Sequence, residues 1–104
     1  MRKTIASTSG RTLQSKAFKM IENEIIRSIL QVMPKANPVL ESATITSKST
    51  NAIYTCSSTP TLTSENRIIQ LIERNTMKYP FNYFFSIGSE NSKIYLYIEA
   101  EEKL

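Results

Sequence analysis

The sequence predicts a small α+β domain with the element order α-β-β-α-β-β, in which two helices pack on an antiparallel sheet. Three observations carry this. Two segments repeat apolar residues at helical spacing, and four segments alternate apolar with polar residues at strand spacing. Prolines and Ser/Thr-rich stretches separate them, and each helix is followed by a hairpin pattern rather than by a lone strand.

Residues 1–14 are polar and basic and read as an arm, with room for a short strand at Lys3–Ser7; residues 15–104 read as the folded domain. The first helix is predicted over Ser15–Met33. Phe18, Ile21, Ile25, Ile29 and Val32 form one stripe, and Ile26, Leu30 and Met33 widen it, with Asn23, Glu24, Arg27 and Gln31 on the polar side. That apolar arc is wider than a free surface helix needs. Pro34 and Pro38 stop the helix.

Ser42–Thr46 and Asn51–Ser57, rich in Thr, Ile and Tyr, suit a hairpin turning at Ser47-Lys48-Ser49-Thr50. The second helix is predicted from Thr63 or Ser64, with Glu65 in the first turn favoured by the helix dipole. Ile68, Ile69, Leu71 and Ile72 give its buried stripe, and Tyr79-Pro80 ends it.

The last hairpin is predicted as Phe81–Ile87, a Gly88-Ser89-Glu90-Asn91 turn, and Ser92–Glu99, pairing Ile87 with Ser92. Phe81, Tyr83, Phe85 and Ile87 then share a face with Ile94, Leu96 and Ile98. Asn82, Phe84, Ser86, Lys93, Tyr95, Tyr97 and Glu99 occupy the other, and a one-residue slip would mix the two sets. The halves also look repeated: Glu22-Asn23-Glu24-Ile25-Ile26-Arg27-Ser28-Ile29 aligns with Glu65-Asn66-Arg67-Ile68-Ile69-Gln70-Leu71-Ile72.

Composition restricts the chemistry. The chain of 104 residues has no histidine, and all nine acidic residues are glutamates. The commonest near-neutral proton shuttle and metal ligand is therefore missing, and Ser-His-Asp or Cys-His arrangements are impossible. The single cysteine, Cys56, forms no internal disulfide and no multi-cysteine zinc site, and Gly10 and Gly88 are too few for a phosphate-cradling loop. No enzyme, catalytic residue, cofactor or metal is expected. No apolar run approaches the ~20 residues that span a bilayer. An intracellular, cytoplasmic protein is expected, with mitochondrial targeting by residues 1–20 as the alternative.

Charge and aromatic side chains offer two surfaces. Arg2, Lys3, Arg11, Lys16 and Lys19 all precede the first acid, Glu22, and hold the positive excess of a chain with net charge +4. Such an arm could neutralise phosphates, dock on an anionic membrane or remain a solvated tail. Phe84, Lys93, Tyr95 and Tyr97 gather on the outward face of the last hairpin. They read as a subunit interface, as cross-strand packing of Phe84 on Tyr95, or as a stacking platform for single-stranded RNA. Glu22 lies inside the apolar arc of the first helix, where pairing with a lysine such as Lys19 would relieve it. Cys56 reads as a small buried hydrophobe.

The hairpin Val39-Leu40-Glu41-Ser42-Ala43-Thr44-Ile45-Thr46 … Ala52-Ile53-Tyr54-Thr55-Cys56-Ser57 after an amphipathic helix resembles the roadblock family of dimeric scaffold proteins. The resemblance, over Ser15 to Glu99, implies homo- or heterodimerisation through the second helix and a continued sheet. It further implies a subunit role in small-GTPase or motor complexes, without catalysis. The reading is thus a non-enzymatic dimeric scaffold or adaptor, with Phe84, Lys93, Tyr95, Tyr97, Ile68 and Ile72 binding the partner. The alternative is a nucleic-acid-binding protein using Arg2, Lys3, Arg11, Lys16 and Lys19 with the aromatic face.

Overall fold

The computed structural model describes residues 12–104. Two helices pack on one face of a four-stranded antiparallel sheet, α1 Leu13–Val32, β1 Val39–Ile45, β2 Thr50–Thr55, α2 Leu62–Thr76, β3 Phe81–Glu90 and β4 Lys93–Glu102. The α+β class and the element order are as the sequence predicts. The Arg2, Lys3 and Arg11 site and the Lys3–Ser7 strand lie outside the described residues.

Helix starts are set by threonine caps. Thr12 Oγ1 accepts from the Ser15 N–H and Thr61 Oγ1 from the Ser64 N–H, each at 3.1 Å. Each satisfies one of the amide donors that a helix N-terminus leaves without an internal partner. The helices therefore begin at Leu13 and Leu62, one or two residues before the apolar periodicity alone suggests. Lys16 and Lys19 consequently sit on the exposed side of α1 and not on an arm.

The sheet order is β1-β2-β4-β3, which reads the same when the two α-β-β halves are exchanged. The aligned pairs Ile25/Ile68 and Ile29/Ile72 are all fully buried. Both halves thus contribute the same helical positions to one core. Thr50, Ala52 and Tyr54 of β2 and Ile94, Leu96 and Ile98 of β4 face the helices and form the core with Ile21, Ile25, Ile29, Ile68 and Ile72. Ile68 and Ile72 are therefore interior side chains that a partner cannot reach, which corrects their expected role as a binding surface.

The last hairpin keeps the predicted faces but not the predicted pairing. Ile87 opposes Leu96 and Phe85 opposes Ile98, and the turn is the two residues Asn91-Ser92 between Glu90 and Lys93. Asn91 and Ser92 have φ of 52° and 61°, the left-handed pair that a tight hairpin turn of this hand requires. Gly88 lies inside β3. An even shift of register leaves every side chain on its own face, so face separation alone could not distinguish the two pairings.

Helix α1 buries the expected stripe of Phe18, Ile21, Ile25 and Ile29, but the buried arc also extends to the side not expected. Ala17, Glu24 and Ser28 are buried, whereas Leu30 is exposed and Glu22 half-buried. At Glu24 and Ser28 the cause is α2 and the segment after it, which pack beside α1 there, whereas Ala17 is buried against Phe81, Tyr83 and Ala100 of the sheet. Tyr83 on β3 donates to the Ala17 carbonyl at 2.7 Å, joining the sheet to the start of α1.

Candidate functional site

The face of the sheet turned away from the helices is uncovered by any described residue. Strand alternation places Ile53 and Asn51 of β2, Lys93, Tyr95, Tyr97, Glu99 and Glu101 of β4, and Asn82, Phe84 and Ser86 of β3 there. Four residues expected to bind a partner, Phe84, Lys93, Tyr95 and Tyr97, are thus brought to one surface, while Ile68 and Ile72 are not. Phe84 is 60% exposed and Tyr95 42% exposed, large apolar areas for an otherwise polar strand face.

The pairing separates the rings. Phe84 lies opposite Glu99, Tyr95 opposite Gly88, and Tyr97 opposite Ser86, so Phe84 and Tyr95 are not the cross-strand pair expected. With small residues facing each tyrosine, the surface is hollowed. One concavity of about 380 Å³ is lined by Asn51, Ile53, Ser86, Gly88, Tyr95 and Tyr97. A second of about 570 Å³ is lined by Lys48, Asn82, Phe84, Glu99 and Glu101.

The electrostatics of this face are acidic. Lys93 is neutralised by Glu41 at 3.1 Å. Tyr97 donates its hydroxyl to Glu99, and this bond, with some burial, raises the phenol above its ordinary pKa. Glu41, Glu90, Glu99 and Glu101 stand against Lys48 and Lys93, on a chain whose net charge is +4. A surface meant to stack bases between phosphates needs the opposite balance.

The second distinctive surface is the outer edge of β3. Both hydrogen-bonding groups of Ala100 point away from β3, since they are taken by the Gln14 side chain. Antiparallel alternation then directs the N–H and C=O groups of Phe81, Tyr83, Phe85, Ile87 and Ser89 outward from the sheet. Among the described residues no backbone group bonds to them. Over these nine positions β3 has no charge, proline or bulge, the devices that normally blunt an edge, whereas the opposite edge, β1, is broken by a bulge at Glu41. Helix α2 packs on β3, and its first residue Leu62 and its C-cap Met77 are each 73% exposed.

One polar cluster was not legible in the sequence. Glu24, 4% exposed, accepts from Arg27 at 2.9 Å and from Tyr79 at 2.8 Å, and pairs with Lys78 at 3.0 Å. The hydrogen bonds from Lys78 and Tyr79 hold its carboxyl below the usual glutamate range despite burial. Ser28, one turn on, donates to the Glu24 carbonyl at 2.7 Å and receives Asn75 at 3.5 Å. These bonds fix α1 to α2 and to the connection into β3. The small residues Ala17 and Ser28 in register with Glu24 were the available signal. Glu22, the acid expected to need a partner, is half-buried without one of these bonds.

Cys56 is half-buried, and burial pushes its thiol above its ordinary pKa, so it lacks the thiolate character of a nucleophile. Among the described residues no three metal-ligating side chains converge, and no helix is long and apolar enough to cross a membrane. Compared with known proteins, the chain matches no family model, no curated protein and no solved structure.

Proposed function

We propose that the protein is a non-catalytic, dimer-forming scaffold or adaptor subunit. The observation that supports this best is the unblunted β3 edge beneath the exposed ends of α2. A two-fold axis normal to the sheet at Phe85 would pair β3 with a second copy, placing Phe85 opposite the partner's Phe85 and Tyr83 opposite the partner's Ile87. No charged residue lies between Phe81 and Ser89, so this apposition brings no like charges together.

The same axis suits the helix. Ser89 bonds Glu65 near one end of α2, and Phe81 lines a hollow with Thr76 and Met77 near the other. The middle of α2, at Ile69 and Gln70, therefore overlies the middle of β3. Antiparallel helices across the seam would set Leu62 against the partner's Met77, and Asn66 against the partner's Glu73, twice by symmetry. The dimer surface is this Leu62–Met77 side of α2, next to the Ile68/Ile72 stripe that fills the core.

Sedimentation equilibrium tests the reading. The natural sequence is expected to form a dimer, and Leu62→Glu with Met77→Glu a monomer of unchanged circular dichroism. A natural protein that stays monomeric at high concentration overturns the proposal.

A further inference from the structure

We infer that the uncovered sheet face binds a basic segment of a partner protein that also carries apolar side chains. This rests on the reading of the protein as a protein-binding subunit and adds the chemistry of what it binds. The face lies within one chain and does not need the dimer.

Three features converge. The exposed Phe84 and Tyr95 rings supply apolar area, and the two hollows, one lined by Tyr97 and the other by Phe84, supply concave shape for side chains to enter. Glu99 and Glu101 rim the Phe84 hollow, with Glu99 directly across from Phe84. Lys93 is already paired to Glu41, so the carboxylates at the Phe84 end face solvent with Lys48 as the neighbouring cation. The face is thus negative where the chain as a whole is positive, which opposes a nucleic acid and favours a partner bearing lysine or arginine beside aliphatic groups. On approach, Tyr97 can keep its bond to Glu99 while the second carboxylate oxygen accepts a cation.

The test uses the full chain with two synthetic probes, a peptide alternating Leu with Lys and its counterpart alternating Leu with Glu. Amide NMR shifts are expected at Phe84, Tyr95, Tyr97 and Glu99 with the Leu–Lys peptide, fading as salt rises, and not with the Leu–Glu peptide. Phe84→Ser, and Glu99→Gln with Glu101→Gln, should each weaken that binding about tenfold, a difference of about 1.4 kcal/mol. Glu22→Gln on α1, on the helix side of the sheet, should leave it unchanged. Equal binding of the Leu–Glu peptide overturns the basic chemistry while leaving the face as a binding surface. Shifts confined to the helices, or none with either peptide, overturn the face itself. Equal weakening by Glu22→Gln reduces the effect to bulk charge and overturns the site. Shifts of the same face by a single-stranded oligonucleotide, by protein concentration alone, or by removal of residues 1–11 assign it to another occupant and overturn the proposal.

Discussion

The side chain of Gln14 makes both hydrogen bonds of a neighbouring strand to Ala100: its Nε2 donates to the Ala100 carbonyl at 2.8 Å, and its Oε1 accepts from the Ala100 N–H at 3.2 Å. Strand β2 ends its pairing with β4 at Thr50 and Ile98, so without Gln14 the Ala100 backbone would be buried and unpaired. One glutamine thereby continues the sheet and anchors the start of α1 to it.

Gln14→Ala should therefore cost about 2–3 kcal/mol, because a buried donor and acceptor are left together without partners. Urea unfolding gives the magnitude. Hydrogen exchange at Ala100 should accelerate more than exchange at Ile94, which stays paired with Tyr54 of β2. Equal acceleration at both sites would show a global effect instead.

Glu24→Gln should cost about 1–2 kcal/mol at neutral pH, the scale of charge-assisted hydrogen bonds lost. It should not reach the larger cost of stranding a buried charge, since the Arg27 and Lys78 side chains are 65% and 63% exposed and would return to water. The pH dependence follows from the sign. The folded carboxyl lies below its ordinary value of 4.5, held there first by Lys78 and then by Tyr79. Its contribution is complete above that value and is lost as pH falls through the folded one. Unfolding midpoints of natural protein and variant should converge in acid, and a gap that persists unchanged would remove Glu24 as the acid-sensitive group.

Ser92→Gly should stabilise the protein by about 0.5 kcal/mol, because glycine takes the left-handed φ of 61° without the strain of a Cβ. The backbone bonds of Ser92, from its N–H to Thr59 Oγ1 and from the Cys56 N–H to its carbonyl, do not involve its side chain and should persist. Ser92→Val should lower stability. Thermal melts distinguish the two, and a destabilised glycine variant would contradict the turn geometry.

The apolar and polar sets of Phe81–Ile98 were legible in the sequence because a strand has a period of two. The turn was not. Gly88 suggested it, but Asn91-Ser92 makes it, and only the full β4 pairing out to Glu102 distinguishes registers that differ by an even step. Phe84 consequently faces Glu99 rather than Tyr95, which changes the site from an aromatic pair into separated rings over hollows rimmed with acid.

By itself the sequence determined the element order, the isoleucines of the core, the two hairpin faces and the absence of histidine chemistry, since each depends on residue type or on spacing within one element. The tertiary structure decided what each element meets. Helix α2 packing beside Ser28 buried Glu24 and filled the core with Ile68 and Ile72, which a lone helix would show as an open apolar stripe. Placing both helices on one face left the other bare, and the order β1-β2-β4-β3 left β3 at an edge. A helical wheel gives the direction of a side chain relative to its own axis, but burial and exposure depend on the neighbour that arrives from elsewhere in the chain.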